Sequence, residues 1–463
     1  MKRFTIAKPE LWKSFLLLTL IVTSIVQTII LWDYHPTYQS VQSETQLTTV
    51  DESLQRRANQ VVIPVQAVVH DNNAVFASKN TPKQLMRVIR DTFEASEFNR
   101  SNPLATKNVP SFYTDINEGL ELILPEAYYA DTLSYMLPGT YSLSGKIPQR
   151  VLIYMEDNAF TIRTIMSDQS IWEGKLTKVG NGDVNSLFLK NSSRTMKRVT
   201  YTDERVNYIP VVGPEMNELF AYDVSSIQID ARLDWMRDTF FPGDPNVQEV
   251  DPASSVGALT NGVSVAEYDA KLNASRYRNL SRNSTEREAA LGLDSIVEFV
   301  NFHGGWVDES SENQGLSLRF DAITPANKGF ETTVFRFHVK GFPVFSQREA
   351  FINNDAIDLS TLRVENDGAQ VRSITRHHLE IDRLITVGTT QLADADEVLG
   401  TLINSGRFEN VTEIRIGYEI EYNEDTSRYV TFSPNWFVRE AGRWVPYNQS
   451  EDWTERMMYR GLE

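Results

Sequence analysis

The sequence predicts an α+β protein in which a single N-terminal transmembrane helix precedes a three-domain extracytoplasmic region with mostly antiparallel sheets. Residues 14–32 contain no charged side chain, which predicts the membrane helix. The rest of the chain contains many short runs of β-branched and aromatic residues, and turn clusters such as LPGTY and GNGD separate them. Only a few segments there have helical periodicity, so we expect strands to predominate.

The segment from Ser14 to Trp32 has the length and the flanks of a membrane anchor. At 1.5 Å of rise per residue its helix spans roughly 28 Å, close to the ~30 Å hydrocarbon core of a bilayer. Mostly basic residues precede it and acidic residues follow it, so we expect the N-terminus in the cytoplasm and the bulk outside. A cleaved signal peptide is the alternative, but the apolar run is longer than a signal core and no small-x-small site follows.

A polar stripe follows one face of this segment. Thr19, Thr23 and Gln27 are spaced four residues apart, with Ser24 and Thr28 beside them. Threonine and serine hydroxyls can bond to carbonyls of their own helix, whereas the amide of Gln27 is costly in hydrocarbon unless it is paired. The stripe therefore predicts a face that contacts a partner helix inside the membrane.

Aromatic residues flank the same segment. Trp12 precedes it, and Trp32 and Tyr34 lie at its other end. Tryptophan and tyrosine are enriched where a helix leaves the hydrocarbon for the headgroups. We therefore predict that these three side chains are membrane-interface anchors.

The composition excludes several classes of function. The formal net charge is −17 and the chain has no cysteine. An acidic exterior makes nucleic acid and anionic lipid surfaces poor partners. The absence of cysteine excludes disulfide-stapled modules, thiol catalysis and thiolate-bound metal. We expect no cofactor.

Patterning along the chain divides it into six parts. These are a cytoplasmic N-terminus (1–13), the transmembrane helix (14–32), a juxtamembrane tether (33–59) and three α+β domains (60–205, 206–325 and 326–463). Three helices are predicted. The first begins with Thr81 as its cap and Pro82 as its first residue. The second begins with a Thr285/Glu288 capping box and ends at Gly304-Gly305, and the third covers residues 392–405 with acidic residues in its first turn. Strict alternation over residues 414–422 predicts a half-buried strand.

No catalytic constellation is evident in the sequence. The HExxH, GxxxxGK[ST], GxSxG and EF-hand motifs are absent. His377 and His378 are adjacent, so in a strand they face opposite ways and do not share a metal. Asp355 and Asp358 are a candidate acid/base pair, but a pair of acidic residues in a surface loop is the simpler interpretation. The tryptophans of the last hairpin, Trp436 and Trp444, are candidates for stacking on sugars, but core positions are the simpler interpretation for them. We predict a protein that is not an enzyme and holds no metal.

Several motifs resemble the YycH (WalH) family of Gram-positive bacteria, over nearly the whole chain. They are WDYHPTYQ after the anchor, FFPGDPNV, VEFVNFHGGW, VFRFHVKGFPVF, and IRIGYEIEY with the SPNWFVREAGRWVPYN hairpin. The resemblance implies a membrane-anchored extracytoplasmic regulator of the essential WalK (YycG) histidine kinase. It also implies a sibling partner, YycI, and contacts between transmembrane helices. It implies three α+β domains, the last two related to each other, and supplies no catalytic residues.

The sequence also allows two other classes of function. One is a binding module for cell-wall fragments or lipid-linked precursors that passes a signal to the kinase. The other is a wall-active hydrolase, which needs an acid/base pair in a cleft.

Overall fold

Two large β-sheets carry most of the described chain. The computed structural model describes residues 16–18, 20–21, 23–24, 27 and 54–448, except residues 73, 96–98, 101–115, 117, 126–131, 140–146, 157, 203–204, 226–228, 251–255, 282–290, 308–314, 326–329, 349, 354 and 424–428. The chain divides into two units, Met1–Gln46 and Leu47–Glu463. The eight described residues of the predicted membrane helix are helical. Among the described residues, no helix has both the length and the apolar character needed to cross a membrane.

Six α-helices and two short 3₁₀ segments, Val184–Phe188 and Phe408–Asn410, lie in the described part of the second unit. The helices are α1 (Ala58–Val61), α2 (Pro82–Thr92), α3 (Thr132–Met136), α4 (Ile229–Phe240), α5 (Leu293–Phe302) and α6 (Ala395–Asn404). The helices bury apolar residues that recur at helical spacing. In α2, for example, Leu85, Met86 and Ile89 are buried.

The first sheet is antiparallel throughout. Its strands are β1 (Gln66–Asp71), β2 (Ala74–Ser78), β3 (Phe93–Ala95), β4 (Asn99–Arg100), β5 (Glu118–Ile123), β6 (Pro148–Glu156), β7 (Ala159–Met166), β8 (Ile171–Lys178), β9 (Lys190–Thr200) and β10 (Val206–Pro210). They are ordered β10-β9-β2-β1-β5-β6-β7-β8-β3, with β4 paired to β8.

The second sheet contains strands from the rest of the chain. They are β11 (Glu215–Tyr222), β12 (Gln248–Val250), β13 (Val256–Thr260), β14 (Ser264–Asp269), β15 (Ala274–Asn279), β16 (Leu316–Pro325), β17 (Glu331–Val339), β18 (Phe342–Phe345), β21 (Thr361–Asn366), β22 (Val371–His377), β23 (Ile385–Gln391), β24 (Val411–Asn423), β25 (Tyr429–Glu440) and β26 (Arg443–Pro446). A separate hairpin pairs β19 (Ala350–Ile352) with β20 (Asp355–Ile357).

One parallel pairing joins the two halves of the second sheet. The order is β12-β13-β14-β15-β22-β21-β17-β18-β24-β25-β11-β23, with β16 on β17 and β26 on β25. β18 forms a hairpin with β17 and runs parallel to β24, opposite Tyr418 and Glu419. Lys340 and Gly341 make that hairpin turn with φ of 49° and 90°, a left-handed conformation that suits a two-residue turn. The predicted α+β class with mostly antiparallel sheets is confirmed.

Several local predictions are confirmed, and two need correction. Thr81 caps α2, and its side chain accepts a hydrogen bond from the Gln84 amide at 3.3 Å. The run VVIPVQAVVH at residues 61–70 predicts a buried strand, but the strand begins only at Gln66, and residues 58–61 form a helical turn. The second predicted helix begins at Leu293 with Gly292 as its cap; the Thr285/Glu288 capping box lies outside the described residues.

The division into three domains at residues 205 and 325 stays a prediction. Two pairings cross the position at residue 325. β16 and β17 pair from Leu316 opposite Val339 to Pro325 opposite Glu331. β11 pairs with β25, which lies about two hundred residues further along the chain.

A buried carboxylate lies on one face of the first sheet. Glu121 is fully buried, and its Oε2 accepts hydrogen bonds from His70 Nε2 at 2.7 Å and the Tyr208 hydroxyl at 2.8 Å. Its Oε1 accepts from Arg150 at 3.1 Å. Burial raises the pKa of Glu121, but the hydrogen bond from His70 and the charge of Arg150 outweigh it and lower the pKa to about 2. The carboxylate thus ties four strands together.

We expect Glu121→Gln to destabilise the protein by about 3–5 kcal/mol at pH 7, because it leaves Arg150 as an uncompensated buried charge. The folded-state pKa of Glu121 lies below its ordinary value of 4.5, so its contribution is complete above pH 4.5 and is lost as the pH falls toward 2. Urea unfolding at several pH values measures the difference, which shrinks over that interval. Glu118→Gln, an exposed change on the same strand, is the control. An equal effect of both substitutions contradicts the prediction.

Candidate functional site

The predicted membrane contact face is described only in part. Thr23, Ser24 and Gln27 are helical and exposed in the first unit. Thr23 and Gln27 are four residues apart, so they share a helix face. The other residues of this prediction, Thr19, Thr28, Trp12, Trp32 and Tyr34, lie outside the described residues. The partner face and the interface anchors therefore stay predictions.

A serine and a histidine meet in the second sheet, but not as a catalytic pair. His378 Nε2 lies 2.7 Å from Ser275 Oγ, and Arg232 lies 3.2 Å from His378 Nδ1. Arginine only donates, so Nδ1 accepts and the ring proton is on Nε2, which donates to the serine. A base for Ser275 needs the opposite arrangement. Burial, with the charge of Arg232, holds the pKa of His378 well below its ordinary value, so the ring is neutral.

The other candidate residues have structural contacts. His377 Nδ1 lies 3.0 Å from the Tyr422 hydroxyl, whereas the neighbouring His378 contacts Ser275. Asp355 pairs with Arg276 and Asp358 with Arg336. Among the described residues, no group of three or more His, Asp or Glu side chains could hold a metal ion.

The tryptophans of the last hairpin have core contacts. Trp436 is 1% exposed and donates to the Ala393 carbonyl at 2.9 Å. Trp444 packs on Phe345, with a centroid distance of 4.9 Å, and lies beneath the guanidinium of Arg415. Neither is a stacking platform for a sugar.

A cleft lies between the two sheets, with a cavity of about 510 Å³. Its first wall consists of the β1 and β2 strands, the start of α2, and β9 and β10. Its second wall consists of β16, the Lys340-Gly341 turn and β24. This cleft is the candidate site in the second unit.

A buried latch holds the two walls at a fixed separation. Asn207 on β10 donates to the Ile414 carbonyl at 2.5 Å, and the Ile414 amide donates to the Tyr201 hydroxyl at 2.8 Å. Burial, together with the nearby charge of Glu413, raises the pKa of Tyr201, so it stays a neutral acceptor. Both backbone groups of Ile414 are thus bonded to the first sheet instead of to water.

A charge network forms the floor of the second wall. Asp321 accepts hydrogen bonds from Arg336 Nε and Arg415 Nη1, each at 2.8 Å, and Arg415 Nε donates to Glu413 at 2.5 Å. Burial opposes ionisation of Asp321, but the charges of Arg336 and Arg415 outweigh it and hold the pKa well below the ordinary value. The network links β16, β17 and β24 across the junction of the sheet halves.

Cationic side chains from distant parts of the chain line this cleft. They are Lys79, Lys83, Arg194, Arg319 and Lys340. This cluster was not predictable from the sequence, because its members are scattered over more than 250 positions and each is a common surface residue. These side chains come together because the two sheets form the two walls of one cleft.

This fold and this site define a class: an α+β protein of two antiparallel sheets, with a ligand-sized cleft between them and no catalytic arrangement among the candidate residues. The YycH protein N-terminal domain matches residues 10–165, and the YycH protein C-terminal domain matches residues 187–452. The chain therefore belongs to the YycH family. Family membership supports an extracytoplasmic regulator of the WalK/YycG two-component system.

A solved structure has the same fold. The crystal structure of YycH from Bacillus subtilis aligns with a TM-score of 0.63 and 13% identity, over 85% of this chain and 98% of that one. The comparison with curated proteins found no match. The resemblance to the YycH family that the sequence motifs indicate is confirmed.

We expect Asn207→Ala to lower the free energy of unfolding by about 1–3 kcal/mol, because the Ile414 carbonyl loses its buried donor. Asn191→Ala is a matched control, since Asn191 also lines the cleft, but among the described residues its side chain bonds only to Ser193 in its own strand. Urea unfolding compares the two variants. A loss for the control as large as that for Asn207→Ala contradicts the role of the latch.

Proposed function

We propose that this protein is a non-enzymatic, single-pass membrane regulator of the WalK/WalR two-component system. It modulates the histidine kinase through contacts of its transmembrane helix and its extracytoplasmic unit with the kinase and with a YycI-like partner. The family match is the observation that carries the proposal, and it includes the apolar segment from Ser14 to Trp32.

The proposed mechanism is a shift between two kinase states. A regulator can move such an equilibrium only by as much as its contact free energy differs between the states. In this proposal the stripe of Thr19, Thr23 and Gln27 packs on a kinase helix inside the membrane. Interhelical hydrogen bonds of this kind contribute about 1 kcal/mol each, so three of them suffice for a measurable bias. The extracytoplasmic unit pairs with the YycI-like protein.

A second candidate function is an extracytoplasmic binding module for cell-wall fragments or lipid-linked precursors. The cleft between the sheets favours it, because a cavity of about 510 Å³ is of the size that holds small molecules. The two candidates use different parts of the chain and are compatible.

The membrane stripe is tested by replacing Thr19, Thr23 and Gln27 together with leucine in the full chain. We expect the variant to insert into the membrane normally, because leucine is more apolar than the residues it replaces. Co-purification with the kinase should fall about tenfold or more, since the polar contacts between helices are lost.

A control variant exchanges Leu18, Ile21 and Ile25 for isomeric aliphatic residues. At 100° per residue these positions lie on the opposite side of the helix from the stripe. Kinase recovery should match the wild type. If the leucine triple variant also recovers kinase at the wild-type level, the stripe is not the contact face.

A further inference from the structure

The last part of the predicted tether is held by a clamp in the second unit. The Asn301 side chain, near the end of α5, bonds both backbone groups of Arg56. Its Oδ1 accepts from the Arg56 amide and its Nδ2 donates to the Arg56 carbonyl, each at 2.8 Å. A side-chain amide has the same donor and acceptor as a peptide group, so it pairs with the backbone as a neighbouring strand does. Asn301 therefore holds the main chain itself.

Trp306 completes this tether clamp, which consists of Leu54, Arg56, Asn301 and Trp306. The Trp306 amide donates to the Leu54 carbonyl at 2.9 Å, and its indole Nε1 donates to Asn301 Oδ1 at 2.7 Å. The tryptophan is 3% exposed and packs edge-on against Phe335 of β17, with the ring centroids 4.9 Å apart. The clamp thus ties the tether to the core of the second sheet.

The residues after the clamp contact both sheets' parts of the chain. The short helix α1 follows directly, and its Ala58 and Val61 are buried. It packs against α5 and β16, and also against α3, which lies between β5 and β6 of the first sheet along the chain. The Asn59 carbonyl accepts a hydrogen bond from Arg90 of α2. A helix of four residues is not stable by itself, so its position depends on these contacts and on the clamp.

The clamp decides how the folded unit can act on the chain that leads to the membrane helix. A flexible linker absorbs the displacements of one body before they reach another. A linker whose end is bonded into the fold moves with that part of the fold. Because the clamp and α1 contact elements from both sheets' parts of the chain, a displacement of either sheet changes the position of residues 54–61 and of the chain that precedes them.

We propose that Asn301 is a positioning residue for regulation of the kinase: by holding the backbone of Arg56 it couples the folded extracytoplasmic unit to the tether and so to the membrane helix. The inference rests on the proposed function, because it concerns the route by which contacts outside the membrane influence the kinase. Asn301 has no contact with the kinase in this proposal. Breaking the clamp therefore leaves kinase binding intact and removes the regulator's effect on kinase activity.

Hydrogen exchange of the full-length protein in detergent tests the clamp itself. In Asn301→Ala the Arg56 and Trp306 amides should exchange about tenfold faster or more, because the first loses its acceptor and the second loses a fixed one. Asn404→Ala makes the same change at an exposed position of α6 and should leave both rates unchanged. The amides of β1 should keep wild-type rates in both variants, which shows that the fold is intact. Equal exchange of the Arg56 amide in the wild type and in Asn301→Ala overturns the proposal.

Autophosphorylation of the kinase in liposomes, with the regulator and a YycI-like partner present, tests the consequence for regulation. The wild-type regulator should change the rate, and Asn301→Ala should lose at least about half of that change while it still co-purifies with the kinase. Asn404→Ala should act as the wild type does. An Asn301→Ala protein with the full wild-type effect overturns this proposal alone. A wild type that neither binds the kinase nor changes its rate contradicts the proposed function and, with it, this inference.

A chemical cross-link separates the loss of the clamp from a general loss of structure. Because the chain has no cysteine, Arg56→Cys with Asn301→Cys introduces its only two thiols. This variant should lose the effect on the kinase as Asn301→Ala does. A short bismaleimide that joins the two thiols before the kinase is added ties the tether to α5 again and should restore the effect. No recovery after complete cross-linking overturns the proposal.

Discussion

The contact between Ile414 on β24 and the first sheet is the interaction on which the rest of the extracytoplasmic structure depends. The Ile414 amide and carbonyl bond to Tyr201 and Asn207. β24 also pairs with β18 and β25, and its Arg415 bonds Asp321 on β16. One strand therefore joins the first sheet to both halves of the second. The cleft exists because these bonds fix the distance between its walls.

Signals that act over a few residues were predictable from the sequence. The Thr81 cap and the strand over residues 414–422 each depend on neighbours within one element, and the structure has both. The alternation along that strand is not strict, because Gly417 is buried and Arg415 is paired with Asp321 and Glu413. Gly304-Gly305 follows α5 with positive φ, as the sequence predicts, and it has a second role that the sequence does not show. The carbonyls of His303 and Gly305 accept from Arg376, and a side chain at position 304 would collide with that guanidinium.

Pairings between distant segments were not predictable in the same way. β11 has an irregular burial pattern with a register shift between Glu218 and Leu219, and nothing in its residues indicates that it lies between β25 and β23. The same limitation applies to the cleft, because Lys79 and Arg319 become neighbours only through the sheet order. The motifs that resembled the YycH family include residues of long-range contacts, such as Trp436, which donates to the Ala393 carbonyl, and Gly305, whose carbonyl accepts from Arg376. The motifs identified the family without showing the contacts that those residues make.

The regulatory role and the cleft place different demands on the protein. A kinase contact through the membrane helix requires specific side chains on one face of that helix. A ligand in the cleft acts on the protein only if both walls of the cleft change position together when it binds. A ligand that touches both sheets can influence the kinase only if the extracytoplasmic unit behaves as one body. The buried bonds at Ile414 and the Asp321 network supply that coupling, because breaking either leaves desolvated polar groups without partners.

Differential scanning calorimetry of the full-length chain in detergent tests this coupling most directly. If the two sheets form one cooperative unit, the extracytoplasmic region unfolds in a single transition with equal calorimetric and van't Hoff enthalpies. Two separate transitions, one for each sheet, would contradict the coupling and with it the idea that a ligand in the cleft acts on the whole unit.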